Sequence, residues 1–249
     1  MRSHSKDGTN NETMIMLALH NHYYKDLSVK WKRHIKRMFK DIKDNDFIKA
    51  HYYPLKDAKP DLVIWVNNSK KTLLSIKSGH SPSVHFESIN SFYEFLRELN
   101  VPEDIIEIIY FYHYGFKRSG GDRNHPLSRD ELITQYSGDI KKVNNYFASN
   151  EDILQEIIYR TIIRGRLRRD LIDYFYYGNV SKGYLLSCAD IIQLILHTPN
   201  DICQSVCFKT LTYVSNARNL DNDRKYTLKI NWPILSRWFY DEEFLKRYG

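Results

Sequence analysis

Two short apolar runs, at residues 61–66 and 72–77, flank a polar Asn/Ser/Lys cluster, which is the pattern of a β-hairpin. Alternate positions of the two runs are nearly all apolar, and we expect this face of the hairpin to lie in a hydrophobic core. If the turn centres on Ser69, Asp61 faces Lys77 and Val63 faces Ser75 across the two strands. The predicted buried face consists of Leu62, Ile64, Val66, Thr72, Leu74 and Ile76.

Other stretches of the chain predict a mixture of helices and strands. Apolar residues at helical spacing predict helices over 12–24, 28–40, 83–99, 151–176 and 234–248. Runs rich in β-branched and aromatic residues predict strands over 47–53, 104–114, 184–188, 208–214 and 226–231. These elements indicate an α/β fold, in which a mixed central sheet is flanked by helices and followed by an α+β C-terminal extension.

A polar, Gly-containing stretch at 117–130 is the predicted boundary between two regions of the chain. Residues 1–116 form the predicted core. Residues 117–249 form the predicted C-terminal region, which we expect to pack on the core and contribute to binding of its partner.

Composition restricts the class of protein. The 249 residues are 42% hydrophobic and 14% aromatic, as in a folded globular chain. The chain contains no apolar run of 18 residues and no apolar segment near its polar N-terminus, so we expect neither a transmembrane helix nor a signal peptide. Three cysteines cannot all pair and are typical of a reducing compartment, so a cytoplasmic location is expected. The formal net charge of +7 favours a polyanionic partner.

The hairpin carries residue types suited to phosphodiester hydrolysis. The carboxylate of Asp61 is a ligand for Mg²⁺, a hard cation that prefers oxygen. The ammonium of Lys77 could orient a metal-activated water or stabilise negative charge that develops on the phosphate.

These residues resemble the motif of the PD-(D/E)XK nuclease superfamily, which includes restriction enzymes and related DNases. Pro60-Asp61 matches the first part of the motif, and Ser75-Ile76-Lys77 stands where the second part belongs, with a serine in place of the second acid. Restriction enzymes that cut sites with a CCGG core share this serine, and a helix that follows supplies their missing carboxylate. The resemblance covers roughly residues 10–112. It implies a restriction-endonuclease-like core, Mg²⁺ with Mn²⁺ as a substitute, double-stranded DNA as substrate, and a homodimer that reads a palindrome.

Two glutamates are candidates for the second carboxylate. Glu12 begins an apolar segment and matches the glutamate that many family members place on their first helix. Glu87 lies ten residues beyond Lys77 and is expected early in the helix over 83–99, where it would match the relocated acid. Of the two, Glu12 is ranked first, because Glu87 falls on the polar side of its predicted helix. The alternatives are that Glu12 only favours a helix N-terminus, that Glu87 is solvated, and that Ser75 is an ordinary strand residue.

Basic residues in four segments are candidates for contact with DNA. The helix over 28–40 has an apolar stripe and a face dense in lysine and arginine, which could lie along a phosphate backbone. Solvation of this face, and pairing of the later arginines with Glu156, Asp170 or Asp173, are the alternatives. The candidate residues are Lys32, Arg33, Lys36, Arg37, Arg123, Arg164, Arg166, Arg218 and Arg224.

The sequence therefore predicts a Mg²⁺-dependent DNA endonuclease, in its most specific form a type II restriction endonuclease. In this hypothesis Asp61, with Glu12 or Glu87, binds the metal, and Lys77 positions the attacking water. Two alternatives stay open: a catalytically degenerate nucleic-acid-binding protein on the same fold, and an interaction protein with no nucleic-acid partner.

Overall fold

The computed structural model of the chain describes residues 6–55, 58–79, 81–115, 127–165, 170–199, 204–217 and 223–249. The chain forms two compact units, each assembled from separate stretches of sequence. The first unit comprises Met1–Pro82, Ile162–Ile192 and Ile234–Gly249, and the second comprises Ser83–Thr161 and Gln193–Pro233. The boundary expected after residue 116 therefore falls inside the second unit, because that unit already begins at Ser83 and continues to Thr161. Two later stretches of the chain then complete the first unit.

The first unit is a mixed α/β structure built around a six-stranded sheet. Its helices are α1 (Lys6–Leu19), α2 (Val29–Met38), α9 (Ile234–Trp238) and α10 (Glu242–Tyr248), with a 3₁₀ turn at Tyr24–Asp26. Its strands are β1 (His22–Tyr23), β2 (Phe47–Tyr52), β3 (Leu62–Val66), β4 (Lys70–Lys77), β6 (Tyr174–Gly178) and β7 (Gly183–Ser187). The strand order is β1-β2-β3-β4-β6-β7. All neighbours are antiparallel except β4 and β6, which are parallel, so the sheet is mixed.

The predicted hairpin is present as β3 and β4, but its register differs from the prediction by two residues. Leu62 lies opposite Leu74, and Val66 lies opposite Lys70, so the turn centres on Asn68. Asn67 and Asn68 both have positive φ angles (51° and 55°), a conformation that Asn tolerates better than most residues. A shift of two residues keeps every side chain on its expected face, and the six residues of the predicted buried face are buried.

Helices cover both faces of this sheet. One face packs against α1 and α2, and its core includes Ile15, Trp31, Ile64, Leu74 and Tyr176. On the other face, the Tyr184 hydroxyl donates to the carbonyl of Leu235, and the Tyr184 ring packs edge-to-face on Phe244 at 5.0 Å. The α/β class with a mixed sheet flanked by helices is therefore confirmed.

The second unit combines a helical layer with a four-stranded antiparallel sheet. Its helices are α3 (Ile89–Glu98), α4 (Glu103–Tyr114), α5 (Arg129–Gln135), α6 (Ser137–Ser149) and α7 (Glu151–Ile158). A π-helical segment (Tyr159–Ile163) follows α7. Its residues, like those of α8 (Cys188–His197), are divided between the two units. The strands are β5 (Ser83–Ser88), β8 (Cys207–Phe208), β9 (Leu211–Ser215) and β10 (Thr227–Asn231), in the order β5-β10-β9-β8, with a 3₁₀ turn at Asp223–Tyr226.

Several predicted elements are wrong in type or extent. The segment 104–114, predicted as a strand, is α4, and the segment 83–88, predicted as the start of a helix, is β5. The predicted helix over 151–176 ends in the π-helical segment, and its last residues belong to β6. In addition, α1 begins at Lys6 and ends at Leu19, so Glu12 lies in its second turn and not at its N-terminus.

No helix among the described residues is both long and apolar enough to cross a membrane.

Candidate active site

Asp61 lies at one end of the six-stranded sheet, directly before β3, and neighbouring backbone and side-chain donors fix its carboxylate. Its Oδ2 accepts a hydrogen bond from the Ile76 amide at 2.6 Å and another from the Ser75 hydroxyl at 3.1 Å. Among the described residues, no donor reaches Oδ1. One oxygen is therefore held by the hairpin, while the other can serve as a ligand.

Ser75 occupies the position where the motif has its second acid. The side chain is 1% exposed, and its hydroxyl donates to Asp61. The serine therefore orients the first carboxylate of the motif and does not replace the second. A hydrogen bond to an ionised carboxylate is stronger than one between neutral groups.

Lys77 is the last residue of β4 and points to the same face as Ser75 two residues before it. Lys59, which the sequence analysis did not single out, adds a second amine. Burial of its ammonium and the nearby charge of Lys77 lower the pKa of Lys59 from 10.5 to about 7, although the charge of Asp61 acts in the opposite direction. This end of the sheet therefore combines a carboxylate with two lysines.

Glu12 supplies a second carboxylate to the same place. Glu12 and Asp61 line one cleft of about 280 Å³, together with Tyr52, Tyr53 and residues of the segment between β2 and β3. Behind the cleft wall, the Tyr53 hydroxyl donates to the carboxylate of Asp170. The structure thus brings Asp61 together with Glu12, the candidate preferred over Glu87 for the second carboxylate.

The residues on either side of Glu12 fasten α1 across this end of the sheet. Asn11 Nδ2 donates to the carbonyl of Gly178, at the end of β6, at 2.9 Å. The Thr13 hydroxyl bonds to the Tyr52 hydroxyl, at the end of β2, at 2.5 Å. Since β3 and β4 lie between β2 and β6 in the sheet, these bonds hold Glu12 over the ends of the two hairpin strands.

Glu87, the other candidate acid, has a different environment from the one predicted. It lies on β5, is 4% exposed, and binds Arg160 through both carboxylate oxygens at 3.1 and 2.7 Å. His85 Nε2 also donates to it at 3.0 Å. Burial alone would raise the pKa of Glu87, but the hydrogen bonds and charges of His85 and Arg160 lower it to about 2. Glu87 is therefore neither a solvated helix residue nor placed as a metal ligand on a helix, as predicted. It forms a buried ion pair with Arg160 inside the second unit.

The basic residues selected from the sequence have mixed environments. Arg33 and Arg37 donate to the carbonyls of Gly249 and Tyr248, each at 3.1 Å, so these guanidinium groups hold the C-terminal end of α10. On α2, Lys36 is exposed and Lys32 is partly exposed. Arg224 is exposed on the 3₁₀ turn at Asp223–Tyr226, and Arg164 directly follows the π-helical segment. Arg123, Arg166 and Arg218 lie outside the described residues.

The donor set in the cleft fits Mg²⁺ in its usual protein environment. No group of three or more His, Cys, Asp or Glu side chains that could hold a metal occurs within the part of the chain that the structure describes. Mg²⁺ is commonly held by only one or two carboxylates and keeps several waters, so Glu12 and Asp61 meet its requirement. None of the described residues that line the cleft is a cysteine or a histidine, and carboxylate oxygens are ligands that a hard cation such as Mg²⁺ prefers.

The sequence pattern and the fold thus converge on Glu12, Asp61, Ser75 and Lys77, with Lys59 beside them. No protein-family model matches this sequence, and a search of curated proteins finds no significant match.

Proposed function

We propose that this protein is a Mg²⁺-dependent DNA endonuclease, most specifically a type II restriction endonuclease with a restriction-endonuclease-like core. The observation that carries the proposal is the cleft that Glu12 and Asp61 share. The cleft lies at the end of the β3–β4 hairpin where the second strand, β4, ends in Lys77. Two carboxylates can hold a metal that activates a water and polarises a phosphoryl oxygen, and an ammonium beside them can stabilise the developing negative charge.

Each residue has a role that follows from its contacts. Asp61 Oδ1 and the Glu12 carboxylate would hold the metal, while Ser75 and the Ile76 amide keep Asp61 in place. Mg²⁺ bound there supplies Lewis-acid polarisation of a phosphoryl oxygen and lowers the pKa of a coordinated water. Lys77 orients the attacking water and stabilises the negative charge of the transition state. Lys59, whose pKa of about 7 leaves it partly protonated at neutral pH, adds a second amine on the same side.

The order of elements in the first unit agrees in part with the order that the resemblance implies, which is a helix, three strands, a helix and a further strand. The unit has α1, then β1 and α2, then the antiparallel strands β2, β3 and β4, and then β6 parallel to β4. Among the described residues of this unit, no α-helix lies between β4 and β6, and the segment expected as the further strand, 104–114, is α4 of the second unit. Most of the chain between β4 and β6 belongs to the second unit.

The substrate and assembly follow from charge and symmetry. A net charge of +7 favours a polyanion such as DNA. A homodimer would match a palindromic site, because a two-fold axis relates both the subunits and the half-sites. Cleavage of both strands would then need one active site from each subunit.

A second candidate is a nucleic-acid-binding protein on the same fold that does not cleave. Ser75 favours this candidate, because the position that normally carries the second acid has no charge. The two candidates differ in one measurable property, which is metal-dependent strand cleavage.

Cleavage of supercoiled plasmid DNA with and without Mg²⁺ tests the proposal. We expect nicked and linear products only with the metal. Asp61→Asn, Glu12→Gln and Lys77→Ala should each lower the rate at least about 100-fold, because even residues that only support metal ligands contribute 10- to 100-fold. The matched controls are Lys71→Ala, an exposed lysine on the same strand, and Glu94→Gln, an exposed helical glutamate.

Two outcomes decide against the proposal. Cleavage that survives Asp61→Asn and Lys77→Ala would exclude this cleft as the active site. DNA binding by the wild type without cleavage, in either Mg²⁺ or Mn²⁺, would favour the degenerate binding protein.

A further inference from the structure

The second unit exposes a group of tyrosine side chains. Tyr110 on α4 is 41% exposed, and Tyr226, at the end of the 3₁₀ turn, is 54% exposed. Between them, Tyr114 lies one helical turn after Tyr110 and is partly exposed. Large apolar side chains that cluster on a protein surface mark sites of interaction.

The rings of Tyr110 and Tyr114 on α4 are in contact with each other. The ring centroids of Tyr110 and Tyr114 are 4.8 Å apart, and Tyr110 also contacts the buried Tyr93 at 6.0 Å. Burial, and then the nearby phenols of Tyr110 and Tyr226, raise the pKa of Tyr114. We call Tyr110, Tyr114 and Tyr226, with the cations described below, the tyrosine platform.

A buried histidine fixes the two halves of the platform to each other. His113 Nε2 donates to the carbonyl of Lys225 at 3.2 Å, and its Nδ1 accepts from the Tyr213 hydroxyl at 2.5 Å. The Ser215 hydroxyl donates to the carbonyl of His113 at 2.5 Å. These bonds attach the backbone before Tyr226 to the last turn of α4. The aromatic surface is therefore preorganised, which lowers the entropic cost of binding.

Two cations border the rings. Lys225 Nζ lies 4.9 Å from the centre of the Tyr226 ring, and Arg224 is exposed in the same 3₁₀ turn. On the opposite side, Glu107 is exposed one turn before Tyr110 on α4. The platform therefore has a cationic edge beside Tyr226 and an acidic edge beyond Tyr110.

We propose that the tyrosine platform binds single-stranded nucleic acid. Unpaired bases stack on exposed aromatic rings, and adjacent lysine or arginine neutralises the phosphates that link them. Bases inside a duplex are already stacked and cannot reach the rings. The phosphate backbone runs past Arg224 and Lys225 and avoids Glu107. This function is separate from the proposed nuclease cleft, since it uses no residue of that cleft and needs no metal.

Fluorescence anisotropy in the presence of EDTA tests the platform without cleavage. The probes are labelled oligo(dT) and oligo(U) of about 12 nucleotides, within the usual site size, and an abasic oligomer of the same length. We expect one or both base-containing oligomers to bind more tightly than the abasic oligomer. Tyr226→Ala and Tyr110→Ala should each raise the Kd about 5- to 100-fold, the range for loss of one stacked base. Tyr226→Phe should retain binding, because it keeps the ring.

Matched variants separate stacking from other effects. Tyr23→Ala is the control, because Tyr23 is 47% exposed and has Lys25 Nζ 5.8 Å from its ring but lies in the first unit. Lys225→Ala should reduce the slope of log K against log salt by about 0.7, the value for one lost phosphate contact on a single strand. Asp61→Asn should bind these oligomers like wild type. Failure of the proposed nuclease function would therefore not affect the test of the tyrosine platform.

Three results would overturn the proposal. They are equal affinity for abasic and base-containing oligomers, a Tyr226→Ala variant that binds as well as Tyr23→Ala, and no binding of either base-containing oligomer. Circular dichroism of each variant confirms that it is folded. If Tyr226→Ala does not fold, the Kd of Tyr110→Ala is compared with that of Tyr226→Phe in its place. Equal affinity of these two variants would then overturn the proposal.

Discussion

Replacement of Glu87 by Gln is expected to destabilise the protein and to leave the proposed active site unaffected. Arg160 is 5% exposed and uses Nε and Nη2 to bind Glu87, while Nη2 also donates to the carbonyl and hydroxyl of Ser91 at 3.0 and 2.8 Å. Its guanidinium carbon lies 4.4 Å from the centre of the Phe95 ring. The substitution therefore leaves a buried cation, held in place by other contacts, without its anion.

Two independent considerations give a similar magnitude. Removal of one partner from a buried ion pair costs about 3–5 kcal/mol. The pKa of Glu87 falls from 4.5 to about 2, which corresponds to roughly 3 kcal/mol of stability. Because the folded pKa is the lower one, this stability is present above pH 4.5 and is lost as the pH falls towards 2.

Urea unfolding followed by circular dichroism provides the assay. At pH 7 we expect the free energy of unfolding of Glu87→Gln to be about 3 kcal/mol below wild type, and that of Glu94→Gln, at an exposed helical position, to be nearly unchanged. Between pH 4.5 and 2, wild type should lose more stability than Glu87→Gln, since the variant has no carboxyl group to protonate there. Arg160→Met combined with Glu87→Gln should recover part of the loss.

A loss below about 1 kcal/mol in Glu87→Gln would refute the argument from burial. So would a pH profile that is the same in the variant and wild type. If Glu87→Gln abolished plasmid cleavage while its stability stayed high, Glu87 and not Glu12 would be the second acid of the active site.

Two further predictions concern single contacts. Ser75→Ala removes one of the two hydrogen bonds to Asp61 and, under the proposed nuclease function, should slow plasmid cleavage about 10- to 100-fold; an unchanged rate would deny Ser75 this supporting role. Burial, and then the charges of Lys30, Arg37 and Arg33, lower the pKa of His34 from 6.5 to about 3. Between pH 7 and pH 5 the free energy of unfolding, measured in urea, should therefore fall by roughly 2 kcal/mol more in wild type than in His34→Leu. Equal losses in the two proteins would show that His34 is protonated in the folded state.

The hairpin and its buried face could be predicted because they depend on local pattern. Alternation of apolar residues identified both strands and the correct faces. The register was wrong because the turn was assumed to centre on Ser69, although Asn67-Asn68 provides two residues that tolerate positive φ. Greater weight on this turn chemistry would have given the observed pairing of Leu62 with Leu74.

The helix α4 was missed because composition was given more weight than periodicity. Its isoleucines and aromatic residues favour strands, yet the buried positions Ile105, Ile109 and Tyr112 follow helical spacing. The terminal signals were also present in the sequence. Glu103 and Asp104 form an acidic first turn, and Gly115 adopts the left-handed conformation that ends the helix.

Parts of the site and fold depend on contacts that a single sequence does not reveal. β5 was predicted as helix because its partner strand, β10, lies far away in the chain. The predicted environment of Glu87 was wrong for the same reason, since its partner Arg160 lies 73 residues later in the sequence. Lys59 precedes Pro60-Asp61 directly, but its approach to Lys77 depends on how the segment between β2 and β3 folds back. Glu12 was proposed from its helical spacing and its match to the family pattern, and the structure places it in the same cleft as Asp61.

The parallel pairing of β4 with β6 also affects how the protein forms during synthesis. Asp173, just before β6, accepts hydrogen bonds from Leu73 and Thr72, 100 and 101 residues earlier in the chain. Until the ribosome has released these later residues, β4 has an unpaired edge and Asn11 has no Gly178 to bind. Strand pairing over such separations is slow, because the loop must close before the contacts stabilise it. The emerging chain therefore carries Glu12 and Asp61 well before the bond from Asn11 to Gly178 can fasten α1 across the end of the sheet.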